Sequence, residues 1–362
     1  MRAIAFLGRS DRTAVRAILF YSIFFLCFLV RVAVAQRVPD ERLHTLIEQG
    51  IDLTLRQEYD GADSLFRSVA GEFPEHPAGY LYQAAVIESR AMDYEMQIDV
   101  SRFDSLITLG KKNSQLLIDN EPSSPWGHFF LGTAYGYDSY ARVYRGDWFG
   151  GALQGFGSVS EFKKALAQDS MLYDACAGIG TFYYWRSRRT AYFNWLPFLG
   201  DDRAEAYSLI EKTIHEGIYD RYAAISMLVT ICIDAQKYDT AASYADLGLE
   251  RYPDNRLFLW GKATALQKAE KFGEATEAYR RLLKSILRER ENNHYNEIVC
   301  RLNLVKVQLA AGDTSGVQRQ LDAILAYETY DFPHHLEDRA KDKFDQVHEL
   351  QRKLAGNEGR SR

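Results

Sequence analysis

The chain repeats itself. Residues 222–255 (YAAISMLVTICIDAQKYDTAASYADLGLERYPDN) superpose without a gap on residues 256–289 (RLFLWGKATALQKAEKFGEATEAYRRLLKSILRE), a register of 34 residues. Tyr238 falls on Phe272, Ala241 on Ala275, Ala245 on Tyr279 and Cys232 on Leu266. A unit of this length holds two short helices and a turn. Such a pair cannot bury its apolar side alone, so neighbouring pairs must stack into an array. Along the rest of the chain apolar residues recur at helical spacing, in segments joined by short polar turns, and no strong strand-like alternation appears.

The same frame fits residues 43–76, with Gly50 eighth, Leu53 eleventh, Tyr59 seventeenth, Ala62 twentieth, Phe66 twenty-fourth and Pro74 thirty-second. Small residues let the first helix approach the second, large ones fill the groove of the next pair, and the proline ends the second helix. This pattern resembles the tetratricopeptide repeat, which wants small residues at the eighth and twentieth places and a proline at the thirty-second. Pro253 meets that rule in 222–255, whereas Val229 departs from the small eighth residue. The resemblance implies an all-α solenoid of paired helices A and B.

Between these units the frame is stretched. AGYLYQAAVIESRAM (Ala78 to Met92) reads as a helix A, and a long helix follows from about Tyr94 to Asp119. Leu131, Gly132 and Tyr135 mark another helix A, and Ile179, Gly180 and Tyr183 a further one. Their helices B, VSEFKKALAQDS and DRAEAYSLIEKTIHEG, start late, so insertions are expected near 139–158 and 186–201. The expected layout is a solenoid over 36–327 of about six pairs, a capping helix over 328–354 and a disordered tail over 355–362.

Within the first stretch lies YRGDWFGGALQGFG, Tyr144 to Gly157. A phosphate-binding Walker loop needs a lysine and a preceding strand, and neither is here. A dinucleotide fingerprint fails too, because Ser160 stands where the third glycine belongs. The segment reads as a connection in which glycines let backbone pack against large rings. Exported bacterial tetratricopeptide proteins look similar over residues 126–290, through RGDWFGGALQGFGSVSEFKKAL and YDACAGIGTFYYW. That resemblance implies a fold and export, and no activity.

Residues 126–198 carry 20 of the chain's aromatic side chains, including Trp126, Trp148, Trp185 and Trp195. Two readings stand: the rings fill gaps between helices, or they form a binding surface flanked by Arg142, Arg145, Arg186, Arg188 and Arg189. From what tetratricopeptide arrays do with their concave face, candidate groove residues are Tyr82, His128, Tyr135, Tyr184 and Trp260. The aromatic surface adds Trp148, Trp185, Arg186, Arg189 and Trp195.

The first 35 residues form a leader. Arg2, Arg9, Arg12 and Arg16 precede the uncharged run Ala17 to Val30, and Ala33-Val34-Ala35 supplies a cleavage site before Gln36. That run would rise roughly 21 Å as a helix, short of the ~30 Å hydrocarbon layer, so a cleaved export signal is favoured over an anchor. Leu26 before Cys27 does not make a lipobox. Its removal takes away five arginines and one aspartate, leaving the remainder more acidic than the full chain's net charge of −5. Non-specific nucleic-acid binding, which needs a cationic face, is therefore not expected.

No catalytic or metal-binding motif stands in the sequence. Cys176, Cys232 and Cys300 lie far apart in apolar stretches and read as buried thiols. His334 and His335 lack metal-ligand spacing, no nucleophile elbow occurs, and Asp201-Asp202 suits a helix start. No metal or cofactor is expected. The sequence thus points to an exported, non-catalytic scaffold of the bacterial cell envelope that holds a protein or peptide partner. A glycan- or lipid-binding protein using residues 126–198, with peripheral membrane association, is the alternative.

Overall fold

A computed structural model of the chain describes residues 40–190, 200–289 and 293–358. The expected export leader, Trp195 with most of the second expected insertion, and residues 359–362 lie outside the described residues. The described residues from Arg42 onward form one compact unit. Its described part holds fifteen helices and no strand.

Seven antiparallel pairs follow one another, one more than the sequence count of about six. They are α1 (Glu41–Leu55) with α2 (Tyr59–Glu72), α3 (Ala78–Tyr94) with α4 (Val100–Asn120), and α5 (Pro125–Tyr144) with α6 (Trp148–Gln168). Then come α7 (Asp174–Arg189) with α8 (Arg203–Glu216), α9 (Arg221–Asp234) with α10 (Tyr238–Arg251), α11 (Arg256–Lys268) with α12 (Phe272–Ile286), and α13 (Tyr295–Ala310) with α14 (Val317–Leu325). The last helix, α15 (His334–Glu358), packs on α13 and α14. It starts after Pro333 and runs past the expected end at residue 354. Odd-numbered helices up to α13 are helices A and even-numbered ones helices B.

The repeat positions do what the register requires. Ala62, Ala241, Ala263 and Ala275 are fully buried between helices, and Phe66 and Tyr279 fill the core. A side chain at Gly50 would start 2.2 Å from the Phe66 ring, so helix A meets helix B only over hydrogen. Val229, the misfit at an eighth place, is accommodated from the next pair: a Cβ at Gly261 would lie 2.5 Å from its Cγ1. One bulky residue is thus offset by one missing side chain on the neighbouring helix A.

The glycine-rich segment differs from expectation. It is helix rather than insertion, since α6 runs unbroken from Trp148 and only residues 145–147 join it to α5. Asp147 caps it, accepting from the Gly150 amide at 2.8 Å, and Gly146 turns the chain at φ +84°. Glycine disfavours helix by about 1 kcal/mol per residue relative to alanine. Here packing reverses that preference: a Cβ at Gly151 would lie 2.6 Å from Val143 and 3.1 Å from the Ser139 carbonyl. Ser139 uses the close approach to donate from Oγ to the Gly151 carbonyl at 2.7 Å. The stretched repeat is therefore a pair of helices longer than usual.

The array also closes on itself. Arg256, at the start of α11, is 4% exposed and holds Asp93 on α3 through Nε at 2.7 Å and through Nη2. Its Nη1 reaches Glu289 at 2.9 Å. Gln57 and Tyr59 donate to the same Asp93 carboxylate, each at 2.9 Å. Around this centre, Asn255 donates to the Leu55 carbonyl at 2.8 Å, Asn296 to that of Asp93 at 2.7 Å, and Arg339 to Glu95 at 2.8 Å. The first two pairs are thereby bonded to the last two and to α15.

Candidate functional site

Four helices A and the turn before α9 send side chains to one surface. Asp174, the first residue of α7, is 1% exposed and accepts from the backbone amides of Ile218, Tyr219 and Asp220 at 2.9, 2.8 and 2.8 Å. This clasp fixes the turn before α9 and projects the Tyr219 ring inward. The Tyr219 hydroxyl meets His44 Nδ1 of α1 at 2.9 Å. Its ring lies 6.3 Å from Tyr82 of α3 and 5.5 Å from Trp126 of α5. Tyr82 in turn stacks on Phe66 at 5.1 Å.

The surface is rich in acid and phenol. Burial raises the Glu88 carboxyl to about 7. Asp220 is raised well above the usual carboxylate range, first by burial and then by the Asp174 carboxylate. The Tyr82 hydroxyl is pushed up by burial, with the Asp220 carboxylate adding to it. Tyr137 is pushed up by burial and then by Glu88 and Asp220. Tyr140 rises to about 12 through burial and Glu88. Neither Glu88 nor Asp220 forms an ion pair with a cation among the described residues. Asp174 and Asp220 are close carboxylates, yet the three amides on Asp174 mark it as a structural clasp.

The residues named from sequence divide between several places. Tyr82 lies on this surface. His128 does not: its Nδ1 is 2.7 Å from Glu161, tying α5 to α6. Tyr135 packs beneath Lys111, whose Nζ is 4.7 Å from the ring, and lies against Gly157. Tyr184 is a correction. It is 1% exposed, and its hydroxyl donates to Asp234 at 2.6 Å, so it belongs to the core between α7 and α9. Trp185 is half-buried and edge-on to it at 5.2 Å. Trp260 is half-buried and edge-on to Tyr279 at 6.2 Å. Arg186 pairs with Asp202 and lies 5.0 Å over the Tyr183 ring.

Trp148 and Arg189 do come together, the guanidinium 5.0 Å over the indole. Beside them α6 exposes Phe149 at 78%, with Trp148, Leu153 and Phe156 each more than half exposed. Sequence reasoning missed Glu88, Asp220, Tyr137 and Tyr219. The available signal was the helix-A spacing of Tyr137, Tyr140 and Tyr144. Asp174 and Tyr219 meet only through the fold.

No family model matches the chain, and no curated protein matches it. Among solved structures, the Cut9–Hcn1 heterotetramer of the APC/C aligns with a TM-score of 0.50 and 13% identity, over 86% of this chain and 50% of that one. This chain thus spans half of that one. TTC0263, a thermophilic TPR protein of Thermus thermophilus, aligns at 0.41 and 18% identity, over 62% of this chain and 99% of that one. The C-terminal part of a TPR repeat-containing protein from Cytophaga hutchinsonii aligns at 0.44 and 14%, over 82% and 98%. Seven stacked pairs, three of which share a 34-residue register, define the class: a tetratricopeptide-like, all-α solenoid.

Proposed function

We propose that the chain is an exported, non-catalytic scaffold of the bacterial cell envelope, whose helix-A surface holds a basic, extended segment of a partner protein. The observation that carries this reading is Glu88 and Asp220, without cation partners among the described residues, set among Tyr82, Tyr137 and Tyr140. Carboxylates and phenol faces both attract lysine and arginine. A bound cation favours ionised Glu88, so binding releases a proton below about pH 7 and tightens as pH rises through that value. Calorimetry with a lysine-rich peptide, in buffers of different ionisation enthalpy, is expected to show that release. Glu88→Lys is expected to weaken binding at least tenfold. An acidic peptide binding equally well to this surface would end the reading. Export rests on the leader and is tested by fusing residues 1–45 to a periplasmic reporter and sequencing the product, expected to begin at Gln36.

A second reading has its own observation, the exposed apolar face of α6. A lipid or glycan ligand there is tested with vesicles and oligosaccharides, where Trp148→Ala with Phe149→Ala is expected to abolish binding. No helix among the described residues is long and apolar enough to cross a membrane.

A further inference from the structure

A surface of opposite charge is built mainly by helices B near the end of the array. A groove of about 450 Å³ lies between α12, α13 and the start of α14. Arg280, Lys284, Arg288 and Arg319 ring it, and Leu283, Leu287 and Leu304 are its apolar components; among the described residues no carboxylate lines it. In a chain of net charge −5 this local excess of cations stands apart. Arg280 pairs with Asp313 at 3.6 Å and Arg288 with Asp254 at 2.7 Å, all on side chains open to solvent, and Asp313 at the groove's edge also accepts from Gln308 and the Ser315 amide. Lys284 and Arg319 form no ion pair among the described residues. The α14 N-terminus, set by Gly316 at φ +74°, adds the positive end of its dipole. Leu287 is 51% exposed in the middle of this ring.

We propose that this groove docks an acidic, leucine-bearing segment of a partner protein. Charge complementarity selects the carboxylates, and arginine forks suit them best. The aliphatic side chains select the rest of the ligand, since a small free anion would leave Leu287 uncovered. A single-stranded nucleic acid fits poorly, because among the described residues no aromatic ring lines the groove to stack a base. The volume falls within the ~300–1,000 Å³ of ligand clefts. This surface is independent of the acidic one, and together they make the chain a two-sided adaptor.

The test is fluorescence anisotropy of the full-length chain with a labelled twelve-residue peptide of alternating glutamate and leucine. Saturable binding is expected, weakening at least tenfold on raising salt and at least tenfold again in Lys284→Glu/Arg319→Glu. Should that variant fail to fold by circular dichroism, Lys284→Gln/Arg319→Gln is measured in its place, with at least a threefold loss expected. Absence of saturable binding, equal affinity in the folded variant, or equal affinity for a glutamate–serine peptide or oligo-dT would overturn the proposal. The lysine-rich probe of the helix-A surface is measured on the same variant and is expected to bind unchanged. The two readings therefore fail separately.

Discussion

Glu88 and Val229 show how much a single position can depend on its surroundings. The Glu88 carboxyl is raised from 4.5 to about 7, so the folded chain holds its proton more tightly than the unfolded chain. Stability therefore falls as pH rises from about 4.5 to about 7, because the folded state alone resists ionisation. Glu88→Gln is expected to flatten the melting temperature over that window and to raise it at pH 8, as read by thermal shift. Val229 and Gly261 form a reciprocal pair. Gly261→Ala is expected to cost about 1 kcal/mol, since overpacking at ~1–3 kcal/mol outweighs the ~1 kcal/mol of helix preference. In a Val229→Ala background the same change is expected to stabilise, and urea titration of the four proteins reads the change of sign.

At the scale of the element, α6 is the instructive case. Its glycines look alike in sequence and differ in the fold. A Cβ at Gly157 would make ordinary contact with Tyr135 at 3.5 Å, whereas one at Gly151 would strike Val143 at 2.6 Å. Gly157→Ala is expected to stabilise by about 0.5–1 kcal/mol through helix preference. Gly151→Ala is expected to destabilise and to part α5 from α6, lowering the mid-transition in urea. The opposite signs, on one helix, separate local preference from tertiary contact.

At the scale of the whole molecule, the closing contacts around Asp93 and Arg256 decide whether the array is an open ribbon or a closed turn. The two side chains are each 5% exposed. Removing one charge of a buried pair leaves the other uncompensated, typically at ~3–5 kcal/mol. Arg256→Ala is expected to cost an amount of that order and to increase the radius of gyration in solution scattering. Asp93→Leu with Arg256→Met is expected to recover most of the stability.

The sequence by itself determined the class of fold and the places where helices touch. Gly50 against Phe66, and Ala241 in register with Ala275, could be read because stacking of like pairs is a local, periodic demand written every 34 residues. The glycine-rich segment could not be read, because its helix is held by Ser139 and Val143 of another element against its own preference. The site was legible at Tyr82 and not at Tyr184, since helical spacing does not tell a groove-facing ring from a core ring that finds Asp234. Only the tertiary structure decided which acids meet. Asp174 reaches Tyr219 and Asp220 of the next pair across a lengthened repeat that the 34-residue register does not encode, and Arg256 reaches Asp93 only because curvature accumulates over several pairs before such distant residues come into bonding range.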